Sequence, residues 1–151
     1  MTLQLDVKSG QAAPMPAFTL ALAGLLPFVS GALTVCFSPE SRADAAVALI
    51  AYGALILSFL GGIRWGFAIL EGRCGGWGKH GLCMIPSLIG WISVLSGGPS
   101  GLLILALAFV SWLLVERAIP PALALPRWYM PFRGTLTAAA ALSLTAAAFS
   151  W

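Results

Sequence analysis

Arg64 is the residue whose type and setting first suggest chemistry. It lies in Ser58-Phe59-Leu60-Gly61-Gly62-Ile63-Arg64-Trp65-Gly66, a guanidinium and three glycines within an apolar run. A charge in such a run is costly and faces protein or water rather than lipid. A guanidinium there suits an anionic or carbonyl-bearing ligand, such as a lipid phosphate or a quinone headgroup. Its plainer uses are snorkelling to the interface or pairing with a fixed carboxylate. Glu116, near the same end of a later span, is the available carboxylate, and an Arg64–Glu116 pair would lock two spans together. A ligand pocket, in the alternative, would be walled by Arg64, Trp65 and Trp112. Trp128, Tyr129 and Arg133 form a second patch, in which Arg133 caps the start of the last helix or binds an anionic headgroup.

Other chemistries find little support. Cys74, His80 and Cys83 supply three irregularly spaced donors where a structural zinc wants four, so no metal is expected. Cys36 belongs to the opposite side of the membrane from Cys74 and Cys83, which removes a disulfide with either. There is one histidine, His80, and no nucleophile elbow, phosphate loop or dinucleotide fingerprint. Asp6, Glu40, Asp44 and Glu71 all fall at or beyond span ends, leaving no buried carboxylate relay for a pump. No cofactor and no catalytic residue are assigned.

The elements that must hold these side chains are membrane helices. The chain has 151 residues, of which 60% are hydrophobic and 9% charged, with a mean hydropathy of +0.95. Soluble domains carry roughly 25% charged residues. A formal net charge of +3, scattered along the chain, is no nucleic-acid footprint. Five apolar segments near the ~20 residues needed to cross a bilayer are expected at about Ala17–Phe37, Asp44–Leu70, Gly81–Ser96, Gly101–Ile119 and Gly134–Trp151. The first is longer than a signal-peptide core and is read as a retained span. Gly97-Gly98-Pro99-Ser100-Gly101 predicts a tight antiparallel turn between the third and fourth. The connection Pro120–Arg133, with Pro120, Pro121, Pro126 and Pro131, reads as a stiff surface-lying loop.

The predicted architecture is therefore all-α: a short cytoplasmic tail over 1–16 and one five-helix transmembrane domain over 17–151. Lys8, Arg73, Lys79, Arg127 and Arg133 gather on one side, whereas Arg42, beside Glu40 and Asp44, is alone on the other. By the positive-inside rule the N-terminus is cytoplasmic and the C-terminus outside. Small residues recur at Ala54, Ser58, Gly62 and Gly66, with Gly61 beside them, giving a thin face on the second span for close packing. The alanine- and threonine-rich fifth span, from Thr135 to Ala148, is its expected partner. The same face could instead join two copies or dock a larger membrane complex.

Three segments carry a family resemblance: Gly24-Leu25-Leu26-Pro27-Phe28; Tyr52 with Ser58 to Gly66; and Trp128-Tyr129-x-x-x-Arg133-x-x-Leu136-Thr137. Together they resemble an uncharacterised domain-of-unknown-function family of small bacterial inner-membrane proteins, related to mitochondrial transmembrane protein 69. The likeness runs from the first span to the fifth, and Phe-Leu-Gly-Gly-x-Arg-Trp-Gly is its most specific string. The sequence departs from it at Pro131 and Phe132, where a non-proline and a leucine are expected. The resemblance implies a multi-span inner-membrane protein and brings no activity or catalytic residue with it. A tail without arginine is unlike a transit peptide, so a bacterial inner membrane is the expected location. The leading functional expectation is a non-enzymatic accessory, assembly or stabilising factor acting through helix faces. The alternative is a small-molecule, quinone or lipid-binding or transport module using Arg64.

Overall fold

The computed structural model describes residues 15–70, 77–121 and 125–151. Among these residues six α-helices follow one another: α1 (Met15–Ala23), α2 (Leu26–Phe37), α3 (Arg42–Leu70), α4 (Trp77–Ser96), α5 (Gly98–Ala118) and α6 (Tyr129–Phe149), with one 3-10 turn at Pro39–Ser41 between α2 and α3. No strand occurs among the described residues. Among the described residues, four helical segments are long and apolar enough to cross a membrane: Met15–Phe37, Pro39–Leu70, Gly98–Ala118 and Tyr129–Phe149. The apolar part of α4, His80–Ser96, is shorter. At 1.5 Å per residue, the 29 residues of α3 extend about 44 Å, more than a hydrocarbon core of about 30 Å.

The first apolar run is broken where its sequence requires it. Pro27 has no N–H to give the preceding turn, and its ring crowds the carbonyl four residues back. The chain responds at Leu25, whose N–H bonds to the Leu22 carbonyl at 3.0 Å in a tightened turn, and α2 restarts at Leu26. The Gly24 carbonyl accepts a hydrogen bond from the Tyr52 hydroxyl of α3 at 2.9 Å. In a bilayer every such group needs an internal partner, so Tyr52 both satisfies the break and ties it to α3.

Between α4 and α5 the turn is tighter than the glycine run suggests, for Gly97 is the sole linking residue. Gly97 and Gly98 have φ of +58° and +50°, the left-handed region in which a Cβ costs energy. Beyond the turn the backbones nearly touch: a Cβ on Gly101 would lie 2.5 Å from the Ser93 carbonyl oxygen.

The small-residue face of α3 packs against α4, not against the last helix. Ala54 sits under Gly90, where an added Cβ would lie 3.3 Å from the Ala54 Cβ. Ser58 and Ser87 share a hydroxyl hydrogen bond of 2.9 Å. Gly61 lies against the Cys83 carbonyl and Pro86. Gly62 and Gly66 have nothing within 4 Å of an added Cβ, so they are off this contact. The spacing was compatible with either neighbour; the one-residue α4–α5 hairpin and the short connection after α3 make α4 the helix beside α3. The last helix, α6, packs on α5 and α2 instead. Where α2, α3, α5 and α6 meet lies the core, with Phe28, Val35, Leu49, Leu57, Leu105, Phe109 and Leu144 buried. Phe28 and Phe109 meet edge-on at 5.7 Å.

Candidate functional site

The last helix begins at Tyr129, five residues before the expected Gly134. Pro131 permits this, because a first-turn N–H has no intrahelical partner and its loss costs nothing there. The Tyr129 N–H bonds back to the Pro126 carbonyl at 3.0 Å, which starts the turn. Arg133 and Thr137 thereby become helical neighbours four apart on one face. The Arg133 Nη1 donates to Thr137 Oγ1 at 2.6 Å, with both side chains buried.

Across from them on α5 is Glu116. Its Oε2 lies 3.4 Å from Arg133 Nε, and the two side chains are 8% and 9% exposed. The carboxylate therefore pairs with Arg133 and not with Arg64. Half-buried on α3, Arg64 forms no ion pair with Glu116 and acts on it only as a more distant charge. Helix order explains the correction, since α6 packs face to face with α5 and brings its second turn opposite the α5 C-terminus.

The pair is incompletely bonded. Arg133 Nε and Nη2 and Glu116 Oε2 are buried without hydrogen-bond partners. Trp112 Nε1 lies beside Glu116 but short of hydrogen-bonding geometry. A buried donor left unmade costs roughly 1–3 kcal/mol, and more when charged. Arg133 contributes to the wall of a cavity of about 480 Å³ between α1, α3 and α6, which Phe28 of α2 and Phe109 of α5 also line. Tyr129 and Thr137 also line it; the remaining wall is apolar but for the indole of Trp128. Phe18 of α1 stacks on Phe132 of α6 at 4.8 Å, joining the two flanks.

The expected site residues thus separate into two groups. Trp128, Tyr129 and Arg133 share the cavity wall, and Glu116 stands behind it. Arg64, Trp65 and Trp112, the expected pocket wall, are not in the lining. Trp65 instead meets His80 edge-on at 5.1 Å, and Trp112 is buried in the core. Ala54, Ser58 and Gly61 belong to the α3–α4 contact, while Gly62 and Gly66 remain open. Cys36 lies 3.0 Å from the Ser150 hydroxyl, tying α2 to the end of α6. Lys8, Asp6, Glu71, Arg73 and Cys74 lie outside the described residues, as does the tail over 1–14.

From sequence, Thr137 was expected only in the packing face of the last span, and Phe28, Phe59 and Phe109 were given no part in a site. Arg133-x-x-x-Thr137 was a usable signal, but only once residue 133 is placed inside a helix. Chemically the site offers a guanidinium with an unpartnered donor, Nη2, beside an apolar chamber, an arrangement able to bind a ligand.

The family DUF3429, described as a protein of unknown function, matches residues 13–149. Transmembrane protein 69 of Xenopus tropicalis is similar, 40% identical over 152 aligned positions that cover 94% of this chain and 57% of the frog protein. Transmembrane protein 69 of Mus musculus is 45% identical over 58 residues, covering 38% of this chain and 24% of the mouse protein. The chain therefore spans less than two thirds of the length of these relatives. No solved structure matches.

Proposed function

The chain belongs to the DUF3429 family, and from that premise we propose that it is a multi-pass membrane protein that binds a lipid-soluble molecule in the cavity beside Arg133. The observation that carries this reading is the juxtaposition of a 480 Å³ apolar chamber with a buried, incompletely bonded guanidinium in its wall. Pockets of about 300–1,000 Å³ with an apolar lining and few polar groups are the usual form of a ligand site. Leu20 and Phe59, both strongly exposed, line its flank, so entry is from the bilayer. Arg133 thus takes the part that the sequence suggested for Arg64.

The test is purification in native membrane discs with mass spectrometry of the retained small molecules. Wild-type protein retains a molecule at about one per chain, and Ala21→Phe, which fills the chamber from α1, releases it. Retention of bulk lipid alone, in the same proportions for both proteins, overturns the reading.

A non-enzymatic accessory role is the second reading, favoured by the open positions Gly62 and Gly66 on α3. Its mark is a stoichiometric protein partner, from a larger complex or a second copy, that is lost on Gly62→Leu. The proposed setting is a bacterial inner membrane with the N-terminal side cytoplasmic. Arg117 and Arg127 at one end of the helices, against Arg42 with Glu40 and Asp44 at the other, support this orientation. A reporter fused after Trp151 is active outside on this proposal, and a cytoplasmic signal overturns it.

A further inference from the structure

Resting on the ligand-binding reading above, we propose that the cavity takes a flat unsaturated ring bearing an uncharged carbonyl oxygen and an apolar tail, with the carbonyl accepting a hydrogen bond from the Arg133 guanidinium. Arg133 is 7% exposed and lies in the cavity wall; its Nη2 has no hydrogen-bond partner, while its Nε faces Glu116. Its charge is already opposed by Glu116 at 3.4 Å. What Nη2 lacks is an acceptor, and the guanidinium needs no further counter-ion. An anion would bring an extra buried charge into an almost wholly apolar wall, at a heavy desolvation cost. A carbonyl oxygen satisfies the donor without that cost.

The shape of the wall selects the rest of the molecule. Phe28, Phe59, Phe109, Trp128, Tyr129 and Phe132 all line the chamber. Aromatic side chains meet a flat ring in offset-stacked or edge-on contacts that are worth more than the buried area alone. An apolar tail leaves along the flank marked by Leu20 and Phe59, the side open to lipid.

The experiment uses the full chain in phosphatidylcholine nanodiscs and three probes: a benzoquinone with a decyl tail, decylbenzene, and dioleoyl phosphatidic acid. Enrichment of each over protein-free discs is measured by mass spectrometry. The benzoquinone is enriched at about one per chain, decylbenzene binds about tenfold or more weakly for want of the charged hydrogen bond, and phosphatidic acid does not displace the quinone. Arg133→Leu weakens quinone binding by a similar factor and leaves decylbenzene unchanged, while Ala21→Phe removes both. Equal binding of quinone and decylbenzene overturns the carbonyl assignment and leaves the ligand-binding reading standing. Displacement by phosphatidic acid assigns the site to an anionic headgroup and overturns it too. No probe enriched, or enrichment indifferent to Ala21→Phe, overturns the ligand-binding reading itself. The three-probe comparison on wild-type protein decides the matter even where Arg133→Leu fails to fold.

Discussion

Removing Glu116 while leaving Arg133 in place tests the centre of the site. The separation of 3.4 Å gives a gross attraction of about 5 kcal/mol at an effective dielectric constant of about 20. Burying two ions costs several kcal/mol each, so the intact pair sits close to break-even. Breaking it is another matter. Glu116→Leu leaves a guanidinium buried at 9% side-chain exposure with Thr137 as its one hydrogen-bond partner among the described residues, and a stranded buried charge of this kind costs about 3–5 kcal/mol. Arg133→Met strands a carboxylate that can take up a proton, so its cost is smaller, about 1–3 kcal/mol.

The double variant Glu116→Leu/Arg133→Met removes both charges and fills the space with apolar volume, which brings stability back to within about 2 kcal/mol of wild type. The expected coupling is therefore at least about 2 kcal/mol. The control cycle is Glu116→Leu with Arg64→Met, where no ion pair exists and coupling stays below about 1 kcal/mol. Equilibrium unfolding by sodium dodecyl sulfate in mixed micelles, followed by helical circular dichroism, measures all five variants. Additivity within about 0.5 kcal/mol at Glu116 and Arg133, or a larger coupling to Arg64 than to Arg133, would refute the pairing.

Three further predictions use the same unfolding assay. Gly61→Ala pushes a Cβ to 2.5 Å from the Cys83 carbonyl, whereas Gly62→Ala meets nothing within 4 Å; the gain in helix propensity cancels between them, and Gly61→Ala comes out less stable by about 1–3 kcal/mol. Tyr52→Phe leaves the Gly24 carbonyl without its side-chain donor and costs about 1 kcal/mol, with faster amide exchange confined to residues around the α1–α2 break. Gly97→Ala forces a Cβ into the left-handed region at φ of +58° and costs about 1–2 kcal/mol, whereas Ser96→Ala, in ordinary helix one residue earlier, changes stability by less than about 0.5 kcal/mol.

Much of the fold was legible because a bilayer limits the options. Five apolar segments with an apolar-to-charged ratio far from that of soluble domains leave little but a helical bundle. The paired glycines at 97 and 98 announced the hairpin, since only glycine adopts that backbone readily. Element ends were less legible. The proline-rich stretch before Arg133 read as loop throughout, although Pro131 is compatible with a helix that starts two residues earlier. That shift of five residues decided whether Arg133 was a loop cation or a buried one.

The site was legible in its ingredients and not in its pairing. Glu116 had two arginines within reach of its end of the bundle, and which of them it meets depends on helix rotation and on which helices are neighbours. Neither quantity is written in a single span. The thin face of α3 has the same weakness: Ala54, Ser58 and Gly61 say that another backbone comes close, while the identity of that backbone follows from connection lengths. Once the one-residue turn fixes α4 against α5, and α4 against the small face of α3, α6 has only α5 and α2 left to cover. Its Arg133 then has to face Glu116, and the space left between α1, α3 and α6 becomes the cavity. The chamber is thus a consequence of the hairpin, and lengthening the Gly97 linker by three glycines should loosen α4 on α5 and alter binding in the cavity without touching any residue that lines it.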